Sequence, residues 1–287
     1  MKRSLALVLL LVLSCGLLLT ACGGGGETEG DQMSLYILNW GDYIDEDKLE
    51  EFRAEHPEID VHYETMTSNE EMLVQLQSPN CIYDVCFPSD YTITKLLKLD
   101  LLQKLDLSKL SNYDNTDPRF LSLEFDPDNE YSVPYMWGTV GILYNKTMVQ
   151  EPVDSWSILW DERYSKQILM YDSVRDSMAV ALKKLGYSLN TTNKDEIAAA
   201  EAELTAQKPL VLAYGTDDLR DKMINGNAAL AVVYSGDAIA AIAENPDLDY
   251  VVPTEGSNIW FDNVVLTKSS KNVEAAHIFI DWLLDAE

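Results

Sequence analysis

The sequence predicts an α/β protein in which parallel sheets are covered by helices on both faces. Short apolar or alternating runs of strand length recur along the chain, and segments with helical spacing separate nearly all of them. This alternation favours parallel pairing, because each helix returns the chain to the same edge of a sheet. The 287 residues are 47% hydrophobic, which suffices for one large or two medium domains with buried cores.

Seven segments carry the strand pattern. They are Leu35–Trp40, Ile59–Tyr63, Tyr83–Phe87, Ile168–Tyr171, Leu210–Tyr214, Ala229–Tyr234 and Tyr250–Val252. The helical pattern covers Glu46–His56, Ser68–Gln77, Tyr91–Leu99, Asp176–Leu185, Lys194–Ala206, Asp217–Asn225, Asp237–Asn245 and Val273–Leu284. Ser68 and Glu71 form a capping box at the start of the second helix. The Asp-rich and Pro-rich stretch 114–128 is predicted to be a long surface connection.

The N-terminus predicts export and lipid anchoring. Lys2 and Arg3 precede an apolar run that begins at Leu5 and ends in Leu19-Thr20-Ala21-Cys22, followed by four glycines. This run is too short for a membrane span and is typical of a lipoprotein signal peptide, predicted over residues 1–21. Cys22 would carry the lipid, and residues 22–32 would form a flexible tether at the outer face of the cell membrane or in the periplasmic space. An ordinary signal peptide with an incidental cysteine is the alternative.

The net charge and the cysteines of the chain allow two further predictions, one about its partners and one about its thiols. A net charge of −27 repels nucleic acid and attracts cations, although acidity also serves solubility. Cys81 and Cys86 lie in or beside an apolar strand, where near neighbours rarely reach bridging distance. They are predicted to be free thiols, with Cys86 buried.

Motifs for enzymatic chemistry are missing from the sequence. His56, His62 and His277 show no metal-binding spacing, and His56 is expected at a helix end. The sequence has neither a Gly-x-Ser-x-Gly elbow nor a phosphate-binding glycine loop. The run 126–130 lacks the pattern of an EF-hand and is predicted to be a solvated turn. We therefore expect no metal, cofactor or catalysis, and a secreted glycosidase with paired carboxylates is the remaining enzyme alternative.

Aromatic and acidic residues recur together where the predicted strands end. In open α/β sheets, ligands bind outside the carboxyl ends of the strands. The residues at these ends are Asn39, Trp40, Asp42, Tyr43, Pro88, Ser89, Asp90, Tyr91, Asp172, Ser173, Arg175, Asp176, Tyr234, Ser235, Asp237, Trp260 and Asp262. Aromatic rings can pack against methylene groups, and carboxylates can pair with ammonium groups. This composition therefore suits a linear polyamine as the ligand. Helix capping is an alternative role, especially for Asp90, Asp172 and Asp237.

Several motifs at these positions resemble a known family. They are Asn39–Tyr43, Tyr83–Val85 with Pro88–Tyr91, Tyr131–Gly138, Leu185–Thr191 and Trp260–Asp262. From about Leu35 to its end, the chain resembles the spermidine/putrescine-binding proteins of ABC transporters. The resemblance implies a type II periplasmic-binding-protein fold, in which two doubly wound α/β lobes are joined by a hinge with two crossings.

The resemblance also implies a division of the chain. The first lobe is expected over residues 33–136, the second over 137–257, and a return to the first lobe over 258–287. The crossings are expected near Tyr135–Gly138 and Gly256–Asp262. Members of this family continue past the helix Val273–Leu284, so the returning segment is expected to be truncated.

Site residues follow from the same resemblance. It places an aromatic box on Trp40, Tyr43, Tyr91, Tyr234 and Trp260, principal carboxylates on Asp176 and Asp262, and a polar lining residue at Ser89. Ser173 stands where the family can hold another carboxylate, Tyr234 stands where a Trp is frequent, and Asp237 is an acid where a neutral residue can stand.

The expected partners complete the prediction. They are a polyamine such as spermidine or putrescine, an ABC permease with its separate ATPase, and the membrane through Cys22. The protein is expected to be a monomer that binds no nucleic acid. A solute-binding protein of the same fold for an amino acid, a sugar or a cationic vitamin is the alternative within this class.

Overall fold

The computed structural model describes residues 32–41, 43–216 and 218–286. The predicted signal peptide and Cys22 lie outside the described residues, as do Asp42 and nearly all of the tether. The strands are β1 Met33–Trp40, β2 Ile59–Met66, β3 Val85–Cys86, β4 Ser132–Asn145, β5 Ile168–Tyr171, β6 Val211–Gly215, β7 Leu230–Tyr234, β8 Leu248–Val251 and β9 Ile259–Leu266. The helices are α1 Glu46–Glu55, α2 Asn69–Leu76, α3 Asp90–Lys98, α4 Val174–Lys184, α5 Lys194–Gln207, α6 Asp218–Ile224, α7 Ser235–Glu244 and α8 Val273–Leu283.

The seven predicted strands and eight predicted helices all form, within a few residues of the expected ends. The capping box at Ser68 also forms, except that the Glu71 carboxylate bonds to the N–H of Thr67 and not to that of Ser68. The Ser68 hydroxyl accepts from the Glu71 N–H at 3.1 Å, while the Glu71 carboxylate accepts from the Thr67 N–H at 2.9 Å. His56 lies at the C-terminal cap of α1, as expected.

Two long strands were not predicted as strands, and they change the topology. In order across the sheet, the strands run β2, β1, β3, β9, β4, β7, β5, β6, and β8 pairs with the second half of β4. Strand β1 is parallel to β2 and β3, and β5 is parallel to β6 and β7. Strands β4, β8 and β9 pair antiparallel with their neighbours, so the expectation of purely parallel sheets is wrong there.

The antiparallel pairing follows from the path of β4 and β9. The first half of β4 pairs with β9, and its second half, from Val140, pairs with β7 and β8. Strand β4 therefore leaves the half of the sheet that holds β1–β3 and enters the half that holds β5–β7. Strand β9 runs the opposite way and ends against β3. The predicted crossings lie on these two strands or just before β9, while the predicted lobe boundaries stay a prediction.

Separate apolar cores lie on the two halves. Around β1 and β3, alternate residues face opposite sides of the sheet. Ile37 and Val85 pack in one cluster with α1 and α8, and Leu38 and Cys86 pack in another with α2 and α3. A third, larger cluster surrounds β5 and β7. The Cys86 thiol is free and fully buried, and Cys81 is also free, which confirms the prediction for both.

The prediction of a solvated turn at residues 126–130 is wrong for Asp126, which is buried. Only 5% of this residue is exposed. Its carboxylate accepts from the N–H groups of Glu130, Tyr131 and Ser132 at 2.9–3.2 Å, and from the Ser132 hydroxyl at 2.8 Å. Asp126 thus fixes the turn that leads into β4. The local sequence pattern around Asp126 does not predict this role.

Two properties of the described residues concern metal ions and membranes. Within the described residues, no group of three or more His, Cys, Asp or Glu side chains is placed to hold a metal ion. His277 is buried, where Nε2 accepts from the Asp106 N–H at 2.9 Å and Nδ1 donates to the Val273 carbonyl at 2.7 Å. No helix in the described part of the chain has the length and apolarity to cross a bilayer.

We predict that Gly141→Ala destabilises the fold. A Cβ at Gly141 would lie 2.4 Å from Cζ of Tyr250 and 2.5 Å from the Val251 carbonyl oxygen. Because the carbonyl belongs to the paired strand β8, the clash cannot be relieved by rotating a side chain, and we expect a loss of about 1–3 kcal/mol in unfolding free energy. Urea unfolding measures this.

The matched control is Gly236→Ala in α7, where an added Cβ would meet no atom within 4 Å. Alanine is also the better helix former, so this variant should be neutral or slightly stabilised. Equal stability of the two variants would contradict the close approach of β4 and β8.

Candidate functional site

The predicted site residues lie at the ends of β1 and β7, on β9, and at the starts of α3 and α4. Trp40 is the last residue of β1, and Tyr234 is the last of β7. Ser89 and Ser173 are the N-cap residues of α3 and α4, and Trp260 and Asp262 lie on β9. These elements come from both halves of the sheet.

Asp262 is a buried carboxylate, and one of its two oxygens accepts a hydrogen bond. Only 6% of the residue is exposed, and Oδ2 accepts from the Tyr43 hydroxyl at 2.7 Å. Oδ1 is buried and has no partner within hydrogen-bond distance among the described residues, and the Ser89 hydroxyl lies near enough to the carboxylate to lower its pKa without making such a bond. A buried carboxylate oxygen without a donor is costly, and this one is therefore a candidate contact for a ligand cation or donor.

Burial also raises the pKa of Asp262 from 3.8 to about 6. Loss of hydration disfavours the charged form, and the neighbouring Asp90 carboxylate adds a smaller effect in the same direction. The nearby hydroxyls of Ser89 and Tyr43 offset the rise in part. Burial raises the pKa of Tyr43 as well, with the Asp262 charge as the next cause, so its hydroxyl stays a neutral donor.

Asp176 is the second buried carboxylate, and it is better supplied with donors. Its Oδ2 accepts from the Ser173 hydroxyl and from the Tyr234 hydroxyl, each at 2.8 Å. Ser173 also caps α4 by accepting from the Asp176 N–H at 3.3 Å. The Ser173 side chain therefore holds Asp176 in position as well as lining the turn.

The rings of the predicted box form two groups that the structure describes. Tyr234 meets Trp260 edge to face at 5.7 Å between ring centroids, and Trp40 meets Tyr43 in the same manner at 6.4 Å. Trp260 Nε1 is buried and has no partner among the described residues, whereas Trp40 Nε1 donates to the Phe87 carbonyl at 2.8 Å. The Trp40 ring is thus fixed by the fold, whereas the indole N–H of Trp260 has no partner from the described residues.

Asp262 and Ser89 are joined through the backbone as well. The two residues form an isolated antiparallel bridge, which places the start of α3 beside β9. The Ser89 hydroxyl accepts from Nδ2 of Asn69 at 2.9 Å, and the Ser89 N–H donates to Oδ1 of Asn69 at 3.1 Å. Asn69 was not predicted, and the only sequence signal for it is its place in the first turn of α2.

Tyr91 differs from the other predicted box residues because its partner is a cation of the protein. The guanidinium carbon of Arg175 lies 4.2 Å from the centroid of the Tyr91 ring. Arg175 is the second residue of α4, and Tyr91 is the second residue of α3. Arg175 was among the strand-end residues in the sequence, but it was not predicted to be part of the site.

Two further tyrosines support the predicted residues. The Tyr135 hydroxyl donates to the Tyr43 carbonyl at 2.6 Å, and the Tyr135 ring packs edge to face on Tyr43 at 5.6 Å. The Tyr171 hydroxyl accepts from the Tyr234 N–H at 2.7 Å and donates to Asp237 at 3.2 Å. Tyr135 lies inside a quoted motif and Tyr171 ends a predicted strand, but neither pattern separates them from core tyrosines.

A cavity of about 410 Å³ adjoins Asp262 on the side of the first half of β4. Its lining includes Phe120, Tyr135, Trp137, Phe261 and Asp262. The lining also includes two further acids, Asp117 and Asp285. Asp262 is the one predicted site residue in it, so the predicted aromatic box does not line this cavity.

Comparison with known proteins identifies the family to which the chain belongs. A family model described as bacterial extracellular solute-binding protein matches residues 49–287. The chain belongs to this family.

Relatives of this solute-binding protein carry consistent names. The spermidine/putrescine-binding periplasmic protein of Escherichia coli K12 is 38% identical over 266 residues, which cover 92% of this chain and 76% of the relative. The putrescine-binding periplasmic protein SpuD of Pseudomonas aeruginosa is 34% identical over an alignment of 292 positions, gaps included, which covers 94% of this chain and 79% of the relative. These relatives confirm the resemblance that the sequence motifs indicated.

Solved structures confirm the predicted fold of this solute-binding protein. The spermidine/putrescine ABC transporter substrate-binding protein PotD of Streptococcus pneumoniae matches with a TM-score of 0.74 and 42% identity. The PotD lipoprotein Tp0655 of Treponema pallidum matches with a TM-score of 0.82 and 29% identity. The two matches each cover 88% of this chain, and they cover 78% and 80% of the respective structures.

We predict that Asp262→Asn stabilises the ligand-free protein at neutral pH. The folded-state pKa of Asp262, about 6, exceeds the unfolded value of 3.8, so the folded state binds more protons between these values. Stability is therefore lost as the pH rises through this window, by up to about 3 kcal/mol. An asparagine carries no charge and avoids this loss.

Thermal unfolding of both proteins at pH 4 and pH 7.5 tests this prediction. The variant should unfold several degrees higher than the wild type at pH 7.5, with most of the difference gone at pH 4. A difference that does not depend on pH would contradict the assignment of a desolvated charge to Asp262.

Proposed function

We propose that this solute-binding protein captures a linear polyamine, spermidine or putrescine, for an ABC importer. The observation that carries the proposal is the buried Asp262 carboxylate, whose Oδ1 has no donor within the described residues. An ammonium group supplies the missing donor and the opposite charge in one contact. The names of the relatives, which bind spermidine and putrescine, support this chemistry.

The second carboxylate and the rings suit the rest of such a ligand. Asp176 is 5% exposed and lies at the first turn of α4, on an element of the other half of the sheet. Each methylene of the ligand that is buried against Trp40, Tyr43, Tyr234 or Trp260 contributes about 0.8 kcal/mol. A ring face near an ammonium adds about 0.5–2 kcal/mol. A diamine that pairs with Asp262 and Asp176 would join the two halves of the protein.

Closure of the two halves on the ligand would be the transport step that this chain performs. Strands β4 and β9 connect the halves, and α3 already meets α4 through Tyr91 and Arg175 in this structure. Rotation about the two strands would therefore open this contact to admit the ligand and close it again. The closed, ligand-bound form would be the one that a permease with a separate ATPase recognises. We propose no catalytic role for the carboxylates, and we propose that the protein acts as a monomer.

The ligand proposal predicts that Asp262→Asn weakens putrescine binding by at least about 30-fold. Losing one member of a desolvated charge pair typically costs 2–5 kcal/mol. Butylamine, which has the same carbon count and a single ammonium, should bind wild type far more weakly than putrescine, because it leaves one buried carboxylate unpaired. Isothermal titration calorimetry with both ligands measures these differences.

The matched control is Asp128→Asn, because Asp128 is exposed and lies far along the chain from the strand-end residues. Asp126, by contrast, is unsuitable as a control because it is buried and bonded to the turn before β4. Equal losses for the Asp262 and Asp128 variants would overturn the site. Comparable affinities for putrescine and butylamine would overturn the pairing of two ammonium groups.

We also propose that Cys22 anchors the protein to the membrane through a lipid. We expect Cys22→Ala to release the protein into the soluble extracytoplasmic fraction without changing the affinity of the purified protein for putrescine. The reason is that the glycine-rich residues after Cys22 separate the anchor from the fold, which begins at β1. Fractionation of expressing cells measures the release, and a variant that stays membrane-bound after a salt wash would contradict the anchor.

A further inference from the structure

An arginine of the protein already occupies one ring of the predicted aromatic box. The Arg175 guanidinium lies over the Tyr91 ring, with 4.2 Å between its central carbon and the ring centroid. This is the same cation–π contact that would hold a ligand ammonium. The face of Tyr91 that Arg175 covers is therefore not free to receive a ligand, in contrast to the expectation from the resemblance.

Arg175 also differs from the carboxylates of the site in its exposure. Arg175 is exposed, whereas Asp176 and Asp262 are buried. Asp176, Asp262 and Tyr91 each raise the pKa of Tyr234, after burial as the first cause, so all three lie within electrostatic reach of its hydroxyl. The guanidinium over Tyr91 thus places a positive charge at the rim of a site whose two acids lie deeper.

The turn that carries Arg175 offers one buried carboxylate and no second one. Ser173 is uncharged, and its hydroxyl donates to Asp176. Asp172 is exposed. A ligand whose two ammonium groups pair with Asp176 and Asp262 therefore finds no further buried acid in this turn. Beyond Tyr91, an additional ammonium approaches Arg175 together with Asp90 and Glu70, and the Arg175 charge already acts on Asp90.

We propose, resting on the polyamine function above, that Arg175 is a specificity-determining residue that favours a short diamine over longer polyamines. An additional ammonium near the guanidinium would be repelled, and to use the ring of Tyr91 it would have to displace the arginine. Two unit charges about 6–8 Å apart at a partly exposed site repel each other enough to change a dissociation constant about fivefold to tenfold. A diamine that ends at the two buried carboxylates avoids this repulsion.

Arg175→Gln tests the proposal by removing the charge from an exposed position. Dissociation constants for putrescine, spermidine and spermine are measured by calorimetry for the wild type, for Arg175→Gln and for Arg175→Lys. We expect Arg175→Gln to improve spermine binding relative to putrescine by about fivefold or more. Arg175→Lys keeps the charge and should retain most of the wild-type preference.

Lys194→Gln is the matched control, since it removes the same charge from an exposed residue at the start of α5. Its ratio of spermine to putrescine affinity should equal that of the wild type. A uniform loss of affinity for all three ligands in Arg175→Gln would make Arg175 a contact between the two halves only, and would overturn the proposal. So would an unchanged ratio. Failure of the wild type to bind any of the three ligands would instead overturn the polyamine function itself.

Discussion

The site depends on a carboxylate that is kept out of water before it has a cationic partner. Asp262 is held on β9 between the start of α3 and the Tyr43 hydroxyl, and only one of its oxygens accepts a hydrogen bond from the described residues. Burial raises the pKa of Asp262 to about 6, because the charged form loses its hydration in this arrangement. A solute that brings an ammonium group offsets that loss, so the free energy stored in the unliganded site becomes binding free energy.

The strands that connect the two halves make this placement possible. Asp262 lies opposite Met136, and Trp260 lies opposite Gly138, in the antiparallel pair of β4 and β9. An added Cβ at Gly138 would come within 2.6 Å of the Trp260 ring, so the glycine leaves the space that the indole fills. The same short stretch of β9 therefore carries the Asp262 carboxylate, the Trp260 ring and the connection between the halves. Movement of the halves would consequently shift the two side chains that are proposed to contact the ligand.

Sequence patterns predicted the helices and the shorter strands because hydrophobic periodicity reports burial on one side of an element. They missed β4, where Pro134 and two glycines interrupt a strand that belongs to both halves. Strand-end composition singled out Asp176, which is buried in the first turn of α4, whereas Asp262 was predicted at a strand end and lies inside β9. The sequence pattern did not predict that Arg175 is part of the site. The contact between Arg175 and Tyr91 joins two turns that are distant along the chain, so no local pattern indicates it.

The two carboxylates are not equivalent, and the difference has a physical consequence for binding. Asp176 already shares its charge with the hydroxyls of Ser173 and Tyr234, whereas Asp262 receives one donor from Tyr43. A ligand ammonium therefore gains more at Asp262, where it supplies a missing donor, than at Asp176, where it adds to bonds that exist. Asp262 lies on the connecting strand and Asp176 on α4. The stronger contact thus lies on the strand that connects the halves, and the weaker contact lies on the helix whose Arg175 already meets Tyr91 of α3 across the two halves.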